Sequence, residues 1–225
     1  MIFSDYEIKE ITKISWRYLL PGFILEKNNT DHLGTDLINQ LKDQKTIFLA
    51  KYLTGKHDLL TIAKLLLKEL KVDRLEVASA RVSEGELESV KKITSWASEH
   101  GFLDRIEVLT FVDGGKSIEW MKEAGAKVQN LLTKGSLNHL THQLKKTPKQ
   151  HFVDIKANIE LASKNNIKTN IYLEDWSNGM RNSKPYVFEY LDFLMREQVA
   201  RILLPDTLGV LTHTETAFFI REVRE

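Results

Sequence analysis

The sequence predicts an α/β protein: an incomplete (β/α)8 barrel of the TIM type, with about five to six βα units and an atypical N-terminal segment. Two observations carry this prediction. Short runs rich in β-forming residues begin near residues 74, 105, 127, 168 and 199. That spacing leaves room for a helical return between successive strands, which favours parallel pairing with right-handed crossovers. Polar groups also gather just past the carboxyl ends of these runs: Ser79 and Arg81, Asp113, Thr133 with Ser136 and His139, Glu174 with Asp175, and Asp206 with Thr207. A β/α barrel builds its active face from many strand ends, whereas an open doubly wound sheet uses chiefly one switch point. No Gly-x-Gly-x-x-Gly or phosphate-loop pattern argues for a nucleotide fold.

The elements follow in order. From Asp58 to Leu70, residues Leu59, Ile62, Ala63, Leu66, Leu67 and Leu70 share one helical stripe. Arg74 to Ser79 reads as a strand. Ser83 with Glu86 forms a capping box for a helix through Leu87, Val90, Ile93 and Ala97 that stops at Gly101. Arg105–Val112 is the next strand, Lys116–Ala124 a helix, and Lys127–Thr133 a strand. Ser136–Asn165 reads as one long helical stretch interrupted near Pro148. Lys168–Leu173 is a strand, Ser183-Lys-Pro185 opens a helix with a cap and an early proline, and Val199–Leu204 is a strand. Thr212 with Glu215 caps a last helix. Residues 1–57 form the atypical segment, with a helix pattern around Asp36–Leu41 and an apolar run, Thr46–Leu53, that suits the first strand position. Residues 58–225 form the barrel-like domain.

Composition narrows the function classes. Lys+Arg 32 against Asp+Glu 31 leaves a formal charge of +1, so net charge gives no warrant for a nucleic-acid partner. The absence of cysteine removes disulfides, thiol catalysis and Cys-ligated zinc. The N-terminus is charged early and does not read as a signal peptide, and no apolar run reaches the ~18 residues needed to span a bilayer. These features lead to the expectation of a cytoplasmic protein without a membrane partner.

Five segments carry a dense likeness: Val72-Asp-Arg-Leu-Glu-Val-Ala-Ser-Ala-Arg81, Phe111-Val-Asp-Gly-Gly-Lys-Ser117, Asn130-Leu-Leu-Thr-Lys-Gly-Ser136, Tyr172-Leu-Glu-Asp-Trp-Ser-Asn-Gly179 and Leu204-Pro-Asp-Thr-Leu-Gly-Val-Leu211. Through them residues 58–221 resemble the 2-isopropylmalate and citramalate synthases, metal-dependent barrels that condense acetyl-CoA with a short 2-keto acid. The resemblance implies a divalent metal (Mg, Mn or Zn) in the complete family, acting as a Lewis acid on the keto carbonyl. It also implies substrate-binding positions. Glu174 matches the position beside the keto-acid site, and Thr207 the threonine whose hydroxyl reaches the substrate carboxylate. Leu109, Leu132 and Tyr172 match the walls of the side-chain pocket. Such a small pocket leans toward pyruvate over 2-ketoisovalerate, at ~1–3 kcal/mol per methylene.

The departures concern catalysis. The family's Asp-Thr-Thr-Leu-Arg-Asp-Gly-Glu-Gln segment, source of an arginine and a metal-binding aspartate, has no match between Thr46 and Asp58. The family's His-x-His-Asn-Asp segment has none anywhere in the sequence. No residue is therefore assigned a catalytic or metal-binding role, and no cofactor is expected for this chain. The expectation is a disrupted or truncated family member, inactive alone. The alternatives are a non-catalytic keto-acid-binding or interaction protein, or a subunit completed by another chain, including a homo-oligomer formed through exposed barrel edges. Several residues invite other readings. His139 and His142, one turn apart, suit a shared metal less well than solvated or capping roles, and His57-Asp58 suits a helix N-cap better than a substitute ligand. Asp73-Arg74 reads as a surface turn, Lys64, Lys68 and Lys71 as a solvated helix edge, and Trp96 and Trp120 as helix packing.

Overall fold

The computed structural model describes residues 46–48 and 59–224. The chain divides into two compact units, Met1–Ser79 with Ser83–Glu107, and Ala80–Val82 with Val108–Glu225. The expected helix at 36–41 and the Asp58 cap lie outside the described residues.

In the first unit, strand β1 (Thr46–Phe48) pairs in parallel with β2 (Arg74–Ser79), with Thr46 opposite Arg74. The apolar run thus supplies a strand where the sequence led one to look. Helix α1 (Leu59–Lys64) widens into a π-helical turn, Leu65–Glu69, closed by Leu70 N–H to the Leu65 carbonyl at 3.0 Å. Ala63, Leu66, Leu67 and Leu70 are all buried, the i, i+3, i+4, i+7 stripe expected of a core-facing helix. Ser83 caps α2 (Glu84–Glu99) by accepting from the Glu86 N–H at 3.2 Å. Trp96 on α2 packs as expected, stacking on His100 and Phe102 at 4.9 and 5.6 Å between centroids. Lys64 and Lys68 are not simply solvated: their ammonium groups lie 5.8 and 5.4 Å from the Trp96 ring centre. Asp73-Arg74 is also more than a surface turn. Arg74 opens β2, and its guanidinium meets the fully buried Glu107 at 3.3 Å. A buried carboxylate requires such a partner.

In the second unit, four parallel strands follow one another in chain order: β3 (Ile106–Phe111, entered from the first unit), β4 (Val128–Lys134), β5 (Lys168–Glu174) and β6 (Arg201–Leu203). The returns are helical: α3 (Lys116–Glu123), α4 (Leu137–His139) with a π turn at Leu140–Leu144, α5 (Pro148–Lys164), α6 (Trp176–Asn182), α7 (Lys184–Leu194) and α8 (His213–Arg224). Parallel strands with helical returns in this order make an incomplete β/α barrel. One sheet face, through Leu131, Ile171 and Leu173, packs on Ile155 and Ile159 of α5 and on Val187, Tyr190 and Leu191 of α7. Each such side chain contributes ~1.5–3 kcal/mol on full burial. Within this layer Gln129 bridges Thr110, Asn158 and Thr169 at 2.9, 3.1 and 2.8 Å, satisfying four buried polar side chains together.

Three boundaries are set by local contacts. The 136–165 stretch breaks near Pro148 as expected: Lys145 turns left-handed (φ 54°), and Thr147 with Gln150 forms a capping box in which Pro148 starts α5. Residues 176–182, between the expected strand and the expected helix, form α6. Ser183 precedes α7 without capping it; its hydroxyl accepts from the Leu137 N–H at 3.2 Å and donates to the Gly179 carbonyl at 3.3 Å. The Thr212–Glu215 cap of α8 forms as expected, with each partner's N–H donating to the other's side chain at 2.9 and 3.2 Å.

Candidate functional site

The sheet face turned away from the helices is ordered by register into layers. Leu109, Asn130, Asn170 and Arg201 align across β3 to β6; one step toward the carboxyl ends, Phe111, Leu132, Tyr172 and Leu203 align; one step further, Lys134 lies opposite Glu174. Side chains alternate faces along a strand, so these residues share the surface opposite Leu131, Ile171 and Leu173. The lowest layer is polar and internally bonded, Asn170 donating to Asn130 at 2.8 Å and accepting from Arg201 Nε at 3.3 Å. The middle layer is an apolar floor in which Leu132 is half-buried and Tyr172 is 9% exposed. At the top, Lys134 Nζ and Glu174 Oε2 form an ion pair, with the two side chains 13% and 24% exposed.

Four of the five expected substrate-site residues therefore meet on one surface: Leu109, Leu132, Tyr172 and Glu174. Thr207 is attached from the side. Its hydroxyl oxygen accepts the Asp175 N–H at 2.9 Å, fastening the loop after β6 to the residue that follows Glu174. The hydroxyl hydrogen remains to donate. Lys134, Phe111 and Leu203 were missed. The alternation that puts Asn130 and Leu132 on one face puts Lys134 there too, so the signal was present.

Backbone contacts fix the upper layer. The Lys134 N–H donates to His151 Nε2 at 3.3 Å, its carbonyl accepts the Tyr186 hydroxyl at 2.7 Å, and Gly135 N–H donates to the Glu174 carbonyl at 2.6 Å. Below this, Tyr190 donates to Thr133 Oγ1 at 2.6 Å, and Thr133 donates to the Tyr172 carbonyl at 2.6 Å. Burial keeps these aromatic and imidazole groups neutral: it pushes the Tyr186 and Tyr190 phenols well above their usual range. The His151 imidazole is held down to about 4 by burial first and then by the Lys146 charge, with Asp154 opposing and Lys134 assisting.

Most of the other strand-end polar groups bind one another. Arg81 meets Asp113 at 2.7 Å, and Asp113 also accepts the Ser117 N–H at 3.1 Å and hydroxyl at 2.8 Å, closing the start of α3. Asp175, 1% exposed, accepts Ser136 Oγ at 2.6 Å and Asn178 Nδ2 at 2.7 Å, and lies 3.4 Å from His139 Nε2. His139 thus finds its carboxylate on another βα unit, while His142 is exposed. Ser136, His139, Asp175 and Asn178 line a cleft of about 620 Å³ with Asn138, Thr141, Asn182, Ser183 and Leu208. Asp206 accepts the Leu211 N–H at 2.8 Å, and Arg181 ties the same loop to α6 and α8 by bonding the Val210 carbonyl at 2.8 Å and Glu215 at 2.7 Å.

The donor set was tested for a divalent cation. Among the described residues no three His, Asp or Glu side chains gather in a way that could hold one. The two carboxylates at the end of β5 are committed, Glu174 to Lys134 and Asp175 to Ser136 and Asn178. These residues do not fit the metal that the family resemblance implies. Among the described residues, no helix is long and apolar enough to cross a membrane.

Parallel strands with helical returns, and polar side chains gathered at the strands' carboxyl ends, define an incomplete β/α barrel. A family model described as HMGL-like matches residues 54–225, and the chain belongs to that family. It is 26% identical over 159 residues to a 2-isopropylmalate synthase of Polaromonas naphthalenivorans (strain CJ2), covering 71% of this chain and 30% of that protein. It is 28% identical over 174 residues to the 2-isopropylmalate synthase of Ralstonia nicotianae, covering 76% and 32%. It is 24% identical over 159 residues to a putative (R)-citramalate synthase of Methanopyrus kandleri, covering 71% and 30%. The chain thus spans about a third of the length of these relatives. The crystal structure of hydroxymethylglutaryl-CoA lyase from Pseudomonas aeruginosa superposes with a TM-score of 0.57 at 18% identity, over 74% of this chain and 54% of that one, which shows the shared fold.

Proposed function

We propose that this chain binds a short 2-keto acid on the β3–β6 face, as the substrate cradle of a 2-isopropylmalate/citramalate-synthase-type barrel. The observation that carries the reading is the register. Leu132 stands beside Tyr172, Leu109 lies one step below, and Glu174 and Lys134 close the top. An apolar floor beneath a charged rim suits a molecule with a methyl group at one end and a carboxylate at the other. The half-buried floor favours pyruvate over 2-ketoisovalerate by volume, and Thr207 stands ready to donate to the carboxylate. In the complete family the condensation partner is acetyl-CoA and the keto carbonyl is polarised by a divalent metal. The reading proposed for these residues is keto-acid binding, and carbon–carbon bond formation is not assigned to them. The test is calorimetric titration of the 225-residue chain with pyruvate, 2-ketoisovalerate and acetyl-CoA. Saturable heat with pyruvate exceeding that with 2-ketoisovalerate is expected; no heat from either keto acid at millimolar concentration defeats the proposal.

A further inference from the structure

We infer that Lys134 is the cationic anchor for the ligand's carboxylate, and that Glu174 is its resident counter-ion, which the ligand must compete with. The inference rests on the keto-acid reading of the same face. Lys134 stands two residues beyond Leu132 on β4, at the carboxyl end where the apolar floor meets the rim. An ammonium group carries three donors, and Glu174 Oε2 accepts one of them, leaving two for an incoming carboxylate. The lysine is also preorganised. Its N–H and C=O are fastened by His151 from α5 and Tyr186 from α7, side chains only 1% and 4% exposed, so its α-carbon is held from two helices. At 13% side-chain exposure the charge is poorly screened, so it attracts an oxyanion more strongly than a surface lysine does.

The sign of each charge change follows. Without Lys134, the carboxylate loses its donor and also faces an uncompensated Glu174. Without the Glu174 charge, Lys134 is released to the ligand. Lys134→Met should therefore weaken pyruvate binding by roughly tenfold to a hundredfold, the worth of a charge-assisted hydrogen bond. Glu174→Gln should leave it equal or tighter. A purely structural pair predicts instead that both variants weaken binding alike.

The experiment titrates pyruvate and its neutral analogue pyruvamide into the full chain, as wild type, Lys134→Met and Glu174→Gln, in low-salt buffer with chelator, with thermal unfolding run in parallel. The expected result is selective loss of pyruvate binding in Lys134→Met, with pyruvamide little changed and Glu174→Gln undiminished for pyruvate. Wild-type affinity for pyruvate in Lys134→Met, or a Glu174→Gln loss as large as the Lys134→Met loss, overturns the inference while leaving the keto-acid reading standing. Failure of the wild type to bind pyruvate overturns that reading itself. Should Lys134→Met fail to fold, salt decides on the wild type: added salt weakens pyruvate but not pyruvamide if Lys134 is the anchor, and an equal response to both contradicts it.

Discussion

Gly179 on α6 lies directly against the carbonyl of Gly135: a methyl group built at Gly179 would stand 2.1 Å from the Gly135 oxygen and 2.9 Å from Val187 Cγ2. Gly135 is equally confined, since its Cβ would fall 2.5 Å from the Leu173 carbonyl oxygen. The two glycines let the end of β4, the end of β5 and α6 meet at backbone distance, and this junction directly follows Lys134 and lies beside Glu174.

Gly179→Ala must therefore push backbone, which yields less readily than a side-chain tip. Overpacking of this kind costs ~1–3 kcal/mol, and the rigid partner puts this case at the upper end. Urea denaturation should show a stability loss of about 3 kcal/mol for Gly179→Ala and a comparable loss for Gly135→Ala. Gly85, with nothing within 4 Å of its added Cβ, provides the control. Gly85 lies in the first turn of α2, where its change to alanine should be neutral or stabilising by restricting the unfolded chain. A harmless Gly179→Ala would contradict the junction.

His151 makes stability depend on pH. Its folded-state pKa of about 4 lies below the ordinary 6.5, so between those values the unfolded chain binds the extra proton. The contribution is complete above pH 6.5 and is lost as pH falls toward 4, to a limit of about 3 kcal/mol. Glu215, held down to about 2 by the Thr212 amide and hydroxyl and by Arg181, titrates below most of this window. Denaturant midpoints taken from pH 7 down to about pH 4.5 should fall for wild type and fall less steeply for His151→Gln. Parallel slopes would rule the histidine out.

Two serine/threonine positions that look alike in sequence should respond differently. Thr147 caps α5 reciprocally with Gln150, so Thr147→Ala should cost about 1 kcal/mol. Ser183 makes no capping bond to its own helix and accepts from Leu137 instead, so removing it should unsettle the α4 entry without fraying α7. Amide exchange in the first turn of each helix separates the cases. Faster exchange at α7 in Ser183→Ala would reverse this assignment.

Period and cap signals made much of this fold legible. The Leu66–Leu67–Leu70 stripe, the Ser83 and Thr212 caps and the strands at 74, 106, 128 and 168 appear within a residue or two of where alternation and capping put them. What escaped reading depends on tertiary contact. Asp175, one of the few non-glycine residue types that tolerate it, takes a left-handed conformation (φ 65°) immediately before α6. Within helical residues 176–182, Gly179 is required by the close approach to the Gly135 carbonyl. On the apolar side of the candidate site, Leu109, Leu132 and Tyr172 came from the family resemblance, and the register puts them on one face. Lys134 was passed over because a strand-end lysine reads as solvated until its partner, forty residues along the chain, is brought opposite it.

The proposed function places a short keto acid on the β3–β6 face of this chain. Methyl NMR of leucine-labelled protein, titrated with pyruvate in the presence of chelator, tests it most directly. Leu132 and Leu109 face the expected ligand, whereas Leu131 and Leu173 face the helices. Saturable shifts at Leu132 and Leu109 with Leu131 and Leu173 still are the predicted result. Shifts confined to the helix-side leucines, or no saturable shift at all, would contradict it.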